Sequence, residues 1–85
     1  MREPTSVAKK IMEVFRYFRI KKDEYLSAKL LLSKRRLWRD IDEEAFNKAV
    51  GDLIRLGYIE RIELPEGWRL LEAGDDWLKQ RPLPF

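Results

Sequence analysis

The residues with most chemistry to offer in this sequence are cations. The run Lys34-Arg35-Arg36-Leu37-Trp38-Arg39 sets four positive charges around one indole, a composition that can grip phosphates and stack on a base or sugar. The plainer alternative is that Leu37 and Trp38 plug a turn between helices while the cations stay in water. Downstream, Asn47, Lys48 and Arg55 fall on the side of a helical stretch opposite Phe46, Val50 and Leu53. The amide of Asn47 suits an adenine edge, Lys48 suits guanine or phosphate, and Gly51 leaves room for close backbone approach. Arg61 and Arg69 lie farther along, in a segment rich in strand-forming residues, where they could reach phosphate.

Other chemistry is excluded by what is missing. The chain has no Cys and no His, which removes disulfides, thiolate nucleophiles, zinc-finger ligands and imidazole bases together. The paired carboxylates Asp75 and Asp76 have no evident base, metal cage or glycine-rich phosphate loop around them, and read as surface acids of a helix. The expectation is a binding module and not an enzyme, with no cofactor and no metal. No apolar run approaches the roughly 20 residues needed to cross a bilayer, and no apolar signal core follows Met1, so a cytoplasmic protein away from membranes is expected.

The elements that must position these residues fit one domain over residues 1–85, with 1–4 and 82–85 expected as flexible ends. An apolar fraction of 45% supplies one core, and a charged fraction of 39% covers it. The net charge of +3 hides an asymmetry: residues 1–39 hold twelve Lys/Arg against four Asp/Glu, and residues 40–85 hold six against eleven. One basic and one acidic face follow.

Residues 5 to about 22 carry Val7, Ala8, Ile11, Met12, Val14, Phe15 and Phe18 at helical spacing, with Thr5 or Ser6 as N-cap. Lys9, Lys10, Arg16, Arg19 and Lys22 form its solvated side. A second helix is predicted from Asp23 or Glu24 to about Arg36, burying Leu26 and Leu30. A third starts at Asp40 or Asp42, with Asp40 and Glu43 at capping-box spacing, and is stopped by Gly57. Residues 58–64 and 68–72 read as a β-hairpin around the turn Pro65-Glu66-Gly67, with Trp68 packed inward. Residues 73 to about 81 form a last short helix with Trp77 and Leu78 inward, closed by Pro82 and Pro84.

Two motifs carry a family likeness. Residues 46–60 (FNKAVGDLIRLGYIE) are similar to a recognition helix followed by the Leu-Gly-aromatic-Ile passage into a wing. Residues 70–78 (LLEAGDDWL) are similar to the Leu-Thr-x-x-Gly-x-x-x-Leu strand-to-helix ending of bacterial and archaeal regulators. In these residues the chain resembles the winged-helix (winged helix-turn-helix) family of DNA-binding transcriptional regulators. The likeness implies an α+β fold with a three-helix core, a two-stranded β-hairpin wing and a short C-terminal helix. It implies double-stranded DNA as partner, with the basic second helix and turn on phosphates and the third helix on bases. The nucleic-acid residues so expected are Lys34, Arg35, Arg36, Arg39, Asn47, Lys48, Arg55, Arg61 and Arg69.

Two features depart from the family pattern. The connection over about residues 35–41 is longer than a tight helix-turn-helix turn, and acids occupy positions where cations are expected: Glu43 and Glu44 at the start of the third helix, Glu66 at the wing tip. These acids support a second expectation, a protein-interaction module using an acidic third helix and wing. A monomer is expected ahead of a homodimer, since the segment after Gly74 is too short for a long dimerising helix; a dimer would use Tyr17 and Ile20 or the Pro-rich tail.

Overall fold

The computed structural model describes residues 5–80. The chain forms a small α+β unit of helices α1 (Ser6–Tyr17), α2 (Ala28–Arg35), α3 (Glu43–Arg55) and α4 (Glu72–Gln80) with strands β1 (Tyr25–Ser27), β2 (Ile59–Glu63) and β3 (Glu66–Leu70). The strands make one antiparallel sheet in the order β1-β3-β2. The expected flexible ends, Pro82 and Pro84 fall outside the described residues.

Helices α1, α2 and α3 each start where a side chain satisfies a first-turn N–H. Thr5 caps α1 by accepting from Ala8 N at 3.3 Å, and Asp42 caps α3 by accepting from Ala45 N at 2.8 Å. Of the two candidate starts for α3, Asp42 is therefore the cap and Asp40 is not. Two helices end in the same way. At α3, Gly57 takes φ +76°, its N–H donates to Ile54 O, and Tyr58 N–H donates to Leu53 O. At α1, Arg19 takes φ +57° with the equivalent bonds to Arg16 O and Phe15 O, so the helix stops at Tyr17 instead of running on to about Lys22.

The largest correction concerns residues 23–27. The second helix begins at Ala28, and Tyr25–Ser27 is instead a third strand, so the expected two-stranded hairpin is part of a three-stranded sheet. Here tertiary pairing overrides the leucine spacing: β3 has an open edge, and β1 fills it with Leu26 opposite Trp68 and Ser27 opposite Gly67. Ser27 then caps α2, accepting from Leu30 N at 3.3 Å. Leu26 is fully buried as expected, but from the strand; Leu30 is exposed and Leu31 takes the buried place.

The hairpin register pairs Glu63 with Glu66, so the loop is Leu64-Pro65, and Glu66 and Gly67 belong to β3 and not to the turn. Leu26, Ile59, Trp68 and Leu70 share the inner sheet face and meet Ile11, Met12, Phe15, Leu31 and Leu53 from the helices in one core. Trp77 and Leu78 of α4 close it. On the outer face, the Tyr25 ring lies over Gly67 and its hydroxyl reaches the Pro65 and Glu66 carbonyls, which ties β1 to the hairpin loop.

Candidate functional site

The basic run splits into three directions once folded. Lys34 turns toward α1, with its ammonium 3.6 Å from the centroid of the Tyr17 ring. Arg35 turns the other way, its guanidinium carbon 5.0 Å from the Phe46 centroid, and its Nε is buried without a partner. That contact joins the end of α2 to the first half of α3. Arg36 and Arg39 point outward beside exposed Leu37, while Trp38 is half-buried against the core. Trp38 therefore plugs the turn and Leu37 does not.

On α3 the expected outer face is the observed one. Glu43, Glu44, Asn47, Lys48 and Arg55 are exposed, while Phe46, Ala49, Val50 and Leu53 are buried. Arg55 lies about 12 Å along the axis from Asn47 at 1.5 Å per residue. Its guanidinium is held by Asp52, one turn back. The hairpin arginines are engaged as well. Arg61 reaches Glu66 at 3.4 Å on the inner-face side of the hairpin tip, and Arg69 pairs with Glu60 directly across the strands on the outer face. Trp68 is buried, as expected.

The nine candidate residues are therefore not one patch. Arg36, Arg39, Asn47 and Lys48 are exposed around the turn and the first half of α3, and none of the three cations pairs with a described carboxylate. Lys34 and Arg35 sit at its edge on aromatic rings, and Arg55, Arg61 and Arg69 are neutralised by neighbours of the same element or hairpin. Releasing an exposed pair costs little, about 0–1 kcal/mol each, yet that cost falls only on the second group.

The groups whose protonation the fold perturbs lie elsewhere. The hydrogen bond that Lys22 Nζ donates to Glu72 Oε1 at 3.1 Å, and the Glu72 charge, raise the Lys22 pKa, and the bond Lys79 donates to Asp75 and the Asp75 charge do the same for Lys79. Both pairs are on α4 or its junction with the α1–β1 loop; Lys22 and Glu72 are both exposed, whereas Lys79 is exposed and Asp75 half-buried.

Sequence reasoning treated the polar side of α1 as plain solvated surface. In the structure Lys9, Lys10, Glu13, Val14 and Tyr17 instead form one wall of a groove of about 320 Å³ whose other wall is Lys34 and Trp38. The spacing of Lys10, Val14 and Tyr17 at four and three residues was the available signal, since it places them on one helix stripe. Ile20, considered with Tyr17 as an exposed pairing surface, packs partly against the core, whereas Tyr17 is 65% exposed.

Among the described residues no group of three or more acidic side chains is arranged to hold a metal ion, and no helix is long and apolar enough to cross a membrane. Comparison of the chain with protein-family models, curated proteins and solved structures finds no match in any of the three.

Proposed function

We propose that this chain is a winged-helix DNA-binding module, a small cytoplasmic regulator and not an enzyme. It grips duplex phosphates through the turn after α2 and offers Asn47 and Lys48 of α3 to base edges. One observation carries the reading. Arg36, Arg39 and Lys48 are exposed and paired with none of the chain's described carboxylates, while the other arginines of α3 and the sheet are internally matched. A cation that serves only solubility can be matched or unmatched; a concentrated unmatched group beside a hydrogen-bonding Asn is what a phosphate-then-base contact requires. The order α2, turn, α3, hairpin also agrees with the family likeness of residues 46–78.

The roles shift from those expected of the nine residues together. Arg36, Arg39 and Lys48 contact phosphate, with Lys34 at the margin, and Asn47 reads a base. Arg55, Arg61 and Arg69 stay in their pairs, and Arg35 stays on Phe46.

Fluorescence anisotropy of a labelled duplex across a salt series tests this. Four phosphate contacts give a log–log slope of roughly −3.5. Arg36→Glu with Arg39→Glu should flatten it by about 2, while Arg61→Glu with Arg69→Glu leaves it within about 0.5. Absence of binding at low salt, or a larger effect from the wing pair than from the turn pair, overturns the assignment.

A second reading rests on the wing tip. Leu64 is 92% exposed between Glu63 and Glu66, and α3 opens with exposed Glu43 and Glu44. An apolar knob among acids suits a basic protein partner better than phosphate. This is the docking function to be pursued if the anisotropy series is flat.

A further inference from the structure

The groove between α1 and the end of α2 shares with the proposed DNA contact only Lys34, at its margin, and Trp38 of the turn, and its lining is unlike the rest of the surface. Tyr17 and Trp38 supply two aromatic walls and Val14 an apolar floor; beside Lys9, the ammonium groups of Lys10 and Lys34 stand against the single carboxylate of Glu13. At about 320 Å³ it is at the small end of the range for ligand sites, roughly 300–1,000 Å³, which fits one aromatic ring or a fused pair and no more.

The charges in it are held in place. Lys34 rests on the Tyr17 ring at 3.6 Å and so stands at the groove wall before any ligand arrives. Holding a charge in its binding position removes part of the ordering cost of association. Glu13 is partly neutralised by Arg16, 3.4 Å away, and Arg16 is itself anchored by donating to Leu78 O at 2.7 Å. The field in the groove is therefore positive, and its walls are flat and aromatic.

From this geometry we infer that the groove binds a small planar aromatic carboxylate as a free ligand, its ring along Trp38 and Val14 beside the Lys34-covered Tyr17, and its carboxylate between the Lys34 and Lys10 ammonium groups. A neutral aromatic would leave the cations unused, and a non-aromatic acid would leave the rings uncovered. The inference concerns the groove alone and needs no nucleic acid.

The test is a titration of the ¹⁵N-labelled full chain with 1-naphthoate, compared with the neutral 1-naphthalenemethanol and the non-aromatic cyclohexanecarboxylate. Saturable shifts are expected at the amides of residues 9–17 and 34–38 and at the Trp38 indole N–H. Each comparison compound should bind about fivefold or more weakly than 1-naphthoate, the scale of one exposed charge pair or ring contact. Lys34→Gln, at an outer position on α2, should weaken 1-naphthoate about fivefold and leave 1-naphthalenemethanol unchanged. No saturable shifts, shifts centred elsewhere, equal binding of the neutral alcohol, or unchanged binding by Lys34→Gln would each overturn the inference. Because no DNA is present, the result is independent of the anisotropy series.

Discussion

Gly74 is the third residue of α4, and replacing it by alanine sets two physical effects directly against each other. Helix propensity alone favours the change by up to about 1 kcal/mol. The structure opposes it. A Cβ at this position would lie 2.3 Å from Tyr58 O and 2.9 Å from a Leu70 methyl carbon. Tyr58 O is backbone, and it already accepts the Leu71 N–H at 2.9 Å, so it cannot swing aside as a side-chain end could. Relief therefore requires moving α4 off the start of β2, at an overpacking cost near the upper end of about 1–3 kcal/mol. Losing the Leu71–Tyr58 hydrogen bond adds about 1 kcal/mol. Net of propensity, Gly74→Ala should destabilise by about 2–3 kcal/mol, or roughly 10–20 °C in Tm for a domain of this size. Gly51→Ala is the control. It lies inside α3, where the nearest atom to a new Cβ is Arg55 Nη1 at an ordinary 3.5 Å, so propensity acts alone and stability should rise by about 0.5–1 kcal/mol. Thermal melts followed by circular dichroism, with urea titrations to check that the m value is unchanged, read both variants. A Tm for Gly74→Ala equal to or above that of the parent would refute the close approach of α4 to the Tyr58 carbonyl.

Two further expectations test other joints. Gly67→Ala would place a Cβ 2.4 Å from Leu26 O and 2.6 Å from the Tyr25 ring, so β1 must separate from β3 at a cost of about 1–3 kcal/mol; an unfolding free energy from urea titration within about 0.3 kcal/mol of the parent would speak against that pairing. The Lys22 ammonium, whose pKa Glu72 raises, contributes fully while it stays protonated and loses its contribution only as pH climbs through the raised value. The Tm difference between the parent and Lys22→Gln should therefore be flat between about pH 6 and pH 9, and a difference that shrinks within that window contradicts the pair.

How far the sequence disclosed this fold depended on whether the controlling interaction was local. Gly57 announced the end of α3 because glycine accepts a left-handed conformation without steric cost, and the observed φ of +76° uses that freedom. Arg19 performs the same task at the end of α1 with φ +57°, and nothing in its side chain signals it; there the surrounding bonds to Phe15 O and Arg16 O impose the conformation. Strand β1 was hidden for a similar reason. The Asp23 before its Tyr-Leu-Ser, which takes a left-handed φ of +68° in a turn, reads equally well as a helix start, and the closely spaced leucines after it suggested one longer helix, whereas what places it is β3, some forty residues away.

The candidate site divides along the same line. The outward face of α3 followed from periodicity, so Asn47 and Lys48 were found correctly exposed. The neutralisation of Arg69 by Glu60 depends on strand register, which the sequence does not state, and that of Arg61 by Glu66 on a turn placed at Leu64-Pro65 instead of Pro65-Glu66-Gly67. The Asp52–Arg55 pair was legible in principle from its three-residue spacing. The division of the basic run, with Lys34 on Tyr17 and Arg35 on Phe46, needed the helices to be placed first.

The most direct test of the central claim is a ¹H–¹⁵N chemical-shift map of the chain titrated with a mixed-sequence duplex at low salt. Binding as proposed shifts the amides of residues 34–39 and 43–48 and the Asn47 side-chain amide, and leaves β2 and β3 near their free positions. A spectrum that does not respond to the duplex, or one whose shifts are confined to the Leu64-Pro65 tip and its flanking strands, contradicts it.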